Sequence, residues 1–287
     1  MEIIFSEKCL GYDLGEHPEK PFRIDSAYKI LAERGYDFFN AEKAAEKDLL
    51  LVHTQEHLRK VRKEDKDNED DEDTPFVKGI YDYAALAVGG AIRASEMALD
   101  GRNSFSLMRP PGHHASKERA SGFCYFNNIA VASKKLLNGK KIGKIAILDT
   151  DLHHGNGTEA IFLGQKDMLY ASLHLYPAYP GTGKKHLQNS FNFPLARNTD
   201  EKRYLKSLED ALSIISDFKP EILAVSAGFD TYKDDPIESR AFLLELDSFR
   251  KIGQKIKNLN LPTFSVMEGG YSKMVGECVY EFISGME

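Results

Sequence analysis

Short apolar runs alternate along this chain with longer stretches in which apolar residues recur at helical spacing. Runs rich in Ile, Val and Leu fall at 3–5, 49–52, 105–108, 145–148, 168–173, 222–225 and 263–266. Their length and their lack of polar positions predict strands buried on both faces. Helical periodicity marks 81–98, 128–137, 200–218, 241–256 and 274–283. Strand and helix in alternation predict an α/β chain built from βα units, with a parallel sheet covered by helices on both sides. No internal repeat interrupts the pattern, and the expectation is one domain over residues 1–287.

Ligands of open parallel sheets sit outside the carboxyl ends of the strands, so the residues directly after each run carry the functional information. RPPGHHA (109–115) comes after Met108, and DTDLHHGNGT (149–158) after Leu148. His174 and YPGTG (179–183, counted from Tyr179) come after Ser172, SAGFDTYKDDP (226–236) after Val225, and MEGGY (267–271) after Val266. Five strand ends would therefore gather chemistry at one rim.

Composition narrows the class. The chain has 287 residues, 42% apolar and 29% charged, enough to bury a sizeable core. No apolar stretch reaches the roughly 18 residues that cross a bilayer, and the first ten residues are too polar for a secretory signal. Cys9, Cys124 and Cys278 lack CxxC spacing, which argues against a disulfide scaffold or a zinc knuckle and makes a reducing cytoplasm the expected location. Net charge is −6, and 64–73 (EDKDNEDDED) holds eight acids against one lysine. The remainder is close to neutral, so no basic stripe favours direct nucleic-acid binding. A solvated loop is the ordinary reading of such an acidic run.

If LDTDLHH stays extended, its period of two puts Asp149, Asp151 and His153 on one side. Carboxylates that close repel, and a divalent cation relieves the repulsion while using an oxygen and an imidazole nitrogen as ligands. A lone DxH can equally be a turn or a cap. Asp230, delivered by another strand end, supplies a third ligand and leaves a fourth position open, as catalytic sites do. His113 and His114, on a backbone stiffened by Pro110 and Pro111, are surface residues or, beside a metal-bound water, general base and acid. Asp149 and Asn156 are available to orient the two rings. Gly269 and Gly270 read as a tight turn, or as a close backbone approach that aims the Tyr271 hydroxyl at a developing oxyanion. Phe123 in GFCYF (122–126) and Tyr179 are core and turn aromatics, or the walls of a narrow apolar tube. GTGKK is no phosphate loop, because Ala178 stands at the first glycine of that frame and Lys185 at its hydroxyl position.

Together RPPGHHA, GFCYFNN, DTDLHHGNGT, SLH with PGTG, AGFD and EGGY resemble the zinc-dependent histone deacetylase superfamily, which includes acetylpolyamine amidohydrolases and acetoin-utilisation proteins. The match runs from HPE (17–19) to Tyr271, nearly the whole chain. It implies the arginase/deacetylase fold, an eight-stranded parallel sheet between helices. It implies hydrolysis of an acetyl or other acyl group from the side-chain amine of lysine in a protein; the alternative substrate is an acetylated polyamine or other small acetylated amine. Asp151, His153 and Asp230 resemble the metal ligands for one Zn2+ per chain, with Fe2+ as the alternative. His113, His114 and Tyr271 match the catalytic histidines and tyrosine. Asp149 matches the acid behind the first histidine and, with Ser172, a K+ site. Asn156 and Glu268 give a class II-like pattern. Gly122, Phe123 and Tyr179 match the acyl-lysine tunnel, Asp73 a rim acid that holds substrate backbone, and Arg23 an arginine of an inner acetate channel. KKHLQNSFNF after PGTG departs from the family's glycine-rich stretch and bears on rim shape and substrate choice. A catalytically silent acyl-lysine binding module is the rival from another class, and the complete residue set, Tyr271 included, argues against it. Neither a membrane nor a particular oligomeric state is implied.

Overall fold

Parallel pairing explains why the strands read as unbroken apolar runs. The structure, a computed structural model, describes residues 1–64 and 71–287. In chain order the elements are β1 (Glu2–Ile4), α1 (Phe22–Glu33), β2 (Phe38–Phe39), α2 (Glu46–Leu49), α3 (Gln55–Lys63), α4 (Ile80–Leu99) and β3 (Ser104–Ser106). Next come α5 (Asn128–Asn138), β4 (Ile145–Asp149), α6 (Asn156–Phe162), β5 (Met168–Leu175), β6 (Ser190–Leu195), β7 (Thr199–Asp200) and α7 (Glu201–Phe218). The chain ends with β8 (Ile222–Ala227), β9 (Phe242–Leu243), α8 (Leu246–Lys257), β10 (Thr263–Met267) and α9 (Val275–Met286).

Among the described residues eight strands form one sheet in the order β2-β1-β3-β10-β8-β4-β5-β6, and every pairing in it is parallel. All carboxyl ends therefore lie along one edge. The five strands whose ends carry the motifs, β3, β10, β8, β4 and β5, are consecutive neighbours. That order turns five segments distant in sequence into one continuous rim.

The two faces of the sheet are set by the strand period of two. On β3 the Ser104 hydroxyl donates to the carbonyl of Ala94 in α4 at 2.7 Å, while the Phe105 ring meets Phe282 of α9 at 6.1 Å. Helices α4 and α9 thus cover opposite faces. Helix α5 packs beside α4; α8 and α1 pack against α9, and α7 lies over β4 to β6. β4, β5, β8 and β10 are buried along their whole length. Each large aliphatic side chain so removed from water contributes about 1.5–3 kcal/mol, and the buried apolar residues form one continuous cluster.

Four expectations need correction. Residues 49–52 are no strand: α2 ends at Leu49, and Val52 and His53 then make turn bonds to the Leu49 carbonyl. A four-residue apolar run does not distinguish a strand from a buried helix end. Helix 241–256 starts later, at Leu246, where Glu245 and Ser248 form a capping box; Phe242 and Leu243 pair instead with Thr199 and Asp200. The sheet also contains β2 and β6, which the apolar runs do not mark; β6 reads SFNFPL, and its Phe191/Phe193 alternation is the signal that betrays it. The extended backbone, finally, stops at Asp149 rather than running through His153. Residues 65–70 of the acidic run lie outside the described residues.

Candidate active site

The bend after β4 is built by its own side chains. Asp149 Oδ1 accepts the amide of Asp151 at 3.1 Å, and Asp151 Oδ1 accepts that of His153 at 2.9 Å. These successive turns separate the roles that a straight strand would have merged. Asp149 points back under the histidine loop, whereas Asp151 and His153 meet Asp230.

One ligand atom from each of Asp151, His153 and Asp230 lies within 4.8 Å of the other two. Asp230 Oδ1 accepts the Leu152 amide at 2.9 Å, but its buried Oδ2 accepts no hydrogen bond and stands 3.2 Å from His153 Nδ1. A buried carboxylate oxygen without a donor calls for a cation. Burial, reinforced by the Asp151 carboxylate, pushes the Asp230 carboxyl upward. Burial acts the same way on Asp151, yet His113 and His153 outweigh it and hold that carboxyl low. Two carboxylates and an imidazole facing one another fit a divalent metal ion.

His113 and His114 stand in the loop between β3 and α5, both buried, with ring centroids 4.0 Å apart. His113 Nδ1 lies 3.1 Å from Asp149 Oδ2, which also accepts the Tyr170 hydroxyl at 2.9 Å. His113 Nε2 faces Asp151 Oδ1 at 3.7 Å. His114 Nδ1 lies 2.8 Å from the side-chain oxygen of Asn156. One ring therefore has a carboxylate behind it and the other an amide. Burial opposes protonation of His113, but Asp151, Asp149 and Glu268 lift it well above its ordinary value. Burial, with His113 and His153 behind it, drives His114 well below. The environment splits the pair into a more and a less basic member.

Tyr271 lines the same cavity, its ring 5.7 Å from that of Phe123. Burial, then Asp230 and Asp151, keep its phenol protonated against the opposing pull of Arg23. Its backbone is clamped: Asp235 Oδ2 accepts the amides of Tyr271 and Ser272 at 2.6 and 2.9 Å. Arg23 Nε donates to the Gly270 carbonyl at 2.7 Å, and the guanidinium lies 4.5 Å from the centre of the Tyr271 ring. A second guanidinium nitrogen reaches the Glu268 carbonyl and the third meets Glu19 Oε1 at 2.9 Å. Arg23 is fully buried and braces the tyrosine loop from behind; it is not among the residues that line the cavity.

The cavity holds about 300 Å³, and His17, Phe123, Tyr179 and Ile237 contribute to its walls. The His114 ring packs edge-on to Tyr179 at 5.1 Å. Gly122 has φ +55°, and a Cβ there would meet His114 Cδ2 at 2.3 Å, so the tunnel wall closes on the histidine only with glycine. Phe123 also takes a positive φ, 68°. Hydrogen bonds hold it there: the Gly122 amide donates to Asp71 Oδ2 at 2.8 Å and the Phe123 amide to Thr74 Oγ1 at 2.9 Å. Asp73 is exposed at the mouth, with its carbonyl 3.1 Å from His17 Nε2. Asp71, which the motifs do not single out, sits closer to the tunnel wall than a solvated charge run would. Ser172 lies opposite Asp149 in the β4–β5 register, and its hydroxyl is 2.9 Å from His174 Nδ1.

Two carboxylates and an imidazole that could hold a cation, a buried histidine pair, Tyr271 and a narrow cavity thus lie together at one rim of a parallel α/β sheet. Residues 17–286 match the family model described as the histone deacetylase domain. A probable deacetylase of Archaeoglobus fulgidus is 36% identical over 94% of this chain and 81% of its own length. Acetylpolyamine amidohydrolase 2 of Pseudomonas aeruginosa is 36% identical over 76% of this chain and 66% of its own length. Among solved structures the HDA15 HD domain superimposes with a TM-score of 0.91 at 30% identity, covering 99% of this chain and 90% of that one. The chain belongs to the histone deacetylase family and is a deacetylase of that metal-dependent group. No helix among the described residues is long and apolar enough to cross a membrane.

Proposed function

We propose that this deacetylase hydrolyses acetyl-lysine in proteins, releasing acetate and the free lysine amine, with Zn2+ resident at Asp151, His153 and Asp230 and Fe2+ as the alternative ion. The observation that carries the reading is the cavity, because its aromatic walls suit the aliphatic stem of a lysine and Asp151, His153, His113, His114 and Tyr271 all line it. When bound, the ion polarises the acetyl carbonyl and makes the attacking water more acidic. His114, the less basic ring, backed by Asn156 and so neutral, accepts the proton of that water. His113, with Nε2 toward the ligand cluster and Nδ1 on Asp149, is the protonated member and delivers a proton to the departing amine. Tyr271 donates its hydroxyl to the carbonyl oxygen as negative charge develops there. Phe123 and Tyr179 flank the lysine stem and exclude water, while Asp73 at the mouth accepts backbone amides of a peptide.

An acetylated polyamine is the second reading, favoured by the similarity to the Pseudomonas aeruginosa amidohydrolase and by the charge of Asp73 at the mouth. Turnover of acetyl-lysine peptides, free acetyl-lysine, acetylpolyamines and longer acyl-lysine peptides by the purified protein separates the two. A peptide kcat/KM at least about tenfold above that of any acetylpolyamine, equivalent to about 1.4 kcal/mol, supports the first reading; the reverse order assigns the enzyme to small amines.

A further inference from the structure

Glu268 is fully buried, and its carboxylate is held by backbone amides and a hydroxyl rather than by a lysine or arginine. Its Oε2 accepts the backbone amides of Gly112 at 2.7 Å and His113 at 3.1 Å, and its Oε1 accepts the Ser226 hydroxyl at 2.9 Å. Its own amide donates to the Ala227 carbonyl at 2.9 Å, and its carbonyl accepts from Arg23. The next residue, Gly269, donates to the ligand oxygen Asp151 Oδ2 at 2.7 Å. One residue thus joins three strand ends: the histidine loop after β3, the carboxyl end of β8, and the glycine turn that carries Tyr271.

Burying a carboxylate is expensive unless donors compensate it. An apolar side chain would fill the same space without that expense, so the carboxylate calls for a specific task. The two amides supply one. Asp149 fixes the His113 ring from Nδ1, but a ring held at one atom still moves with its backbone. We propose that Glu268 is a positioning residue that sets the backbone of Gly112 and His113, and so holds the His113 ring against the metal ligands. This role rests on the reading of His113 as a member of the proton-transfer pair. The contact needs an acceptor oxygen at the two amides, and its effect falls on the chemical step rather than on substrate binding, because Glu268 does not line the cavity.

The test compares the metal-loaded parent with Glu268→Gln and Glu268→Met, read as kcat, KM and metal per chain. Both replacements have nearly the size of glutamate, and only glutamine keeps an acceptor oxygen. Gln should stay within about threefold of the parental kcat. Met should lose about 100-fold in kcat, the order associated with a 1 Å misplacement, with KM within about twofold and metal content unchanged. Glu268→Asp covers the case in which Met does not fold: it keeps the charge but withdraws the oxygens by about one carbon–carbon bond, roughly 1.5 Å, and should lose kcat as Met does. The proposal is overturned by a folded Met variant within threefold of parental kcat, by an Asp variant equally active, by a Gln variant as impaired as Met, or by a kcat loss that tracks loss of metal. His113→Gln run alongside separates the two levels. Parental activity in that variant removes the proton-transfer reading of His113 and the proposal with it, whereas its collapse beside an active Met variant removes the positioning role alone.

Discussion

Gly269 donates its amide to Asp151 Oδ2 at 2.7 Å, and it does so from a position where no side chain fits. A Cβ built there would stand 2.5 Å from Asp230 Oδ2 and 2.6 Å from Asp151 Oδ2. The glycine turn therefore packs directly on the ligand cluster and orients one of its carboxylates. Gly269→Ala should push both carboxylates aside and weaken metal binding about 10- to 100-fold, the range for a lost ligand-orienting contact. Metal retained after graded chelation measures this; a variant that holds its ion as the parent does contradicts it.

Tyr271→Phe should keep its metal and bind a hydroxamate as the parent does, yet lose about 100- to 1000-fold in kcat, because the hydroxyl serves the developing oxyanion more than the ground state. Steady-state kinetics beside hydroxamate titration checks both halves. A phenylalanine variant with near-parental kcat removes Tyr271 from the chemistry.

The residues to which the proposed chemistry is given are legible in the sequence because each lies in the segment that follows a strand. Asp151, His153, Asp230, His113 and Tyr271 announce themselves by residue type, and parallel pairing brings strand ends together whatever their order in the chain. Supporting groups are not legible in the same way. Asp71 reaches the Gly122 amide across 51 residues, and Asp235 reaches the Tyr271 amide across 36; nothing local in either segment encodes such a contact. Glu268 shows its identity but not its task, since its partners are backbone amides 156 and 155 residues away. The error at 49–52 has a local cause instead, since four apolar residues in a row fit a helix end and its turn as well as they fit a strand.

Asp73 should matter through its reach rather than its charge. Asp73→Ala should raise KM for acetyl-lysine peptides about tenfold at both low and high salt, because hydrogen bonds to ionised acceptors are short-range, worth about 1.5–3 kcal/mol and little screened. Small acetylamines without a peptide backbone should be unaffected. Salt-dependent impairment that extends to small cationic substrates would instead assign the residue to long-range attraction.

Acid should destabilise the fold through His53. Burial, with the His57 imidazole behind it, lowers His53 to about 3, and its Nε2 accepts the Asn127 amide at 2.9 Å, a bond that requires the neutral ring. An unfolded chain's histidine takes up its proton near pH 6.5, so the unfolded state binds a proton that the native state refuses until about pH 3. The stabilising difference is complete above pH 6.5 and is lost as pH falls toward 3. At pH 5 this single group removes about 2 kcal/mol. Urea unfolding at pH 7 and pH 5 should show a loss about that much smaller in His53→Gln than in the parent; equal losses contradict the assignment.

Metal-dependent hydrolysis at Asp151, His153 and Asp230 is tested most directly by acetate release from an acetyl-lysine peptide before chelation, after it, and on return of Zn2+. Removal of the ion should abolish nearly all turnover, and return of about one equivalent per chain should restore it, with no recovery in Asp230→Ala. Undiminished acetate release from protein stripped of its metal, or full recovery in Asp230→Ala, would contradict catalysis by an ion at these three residues.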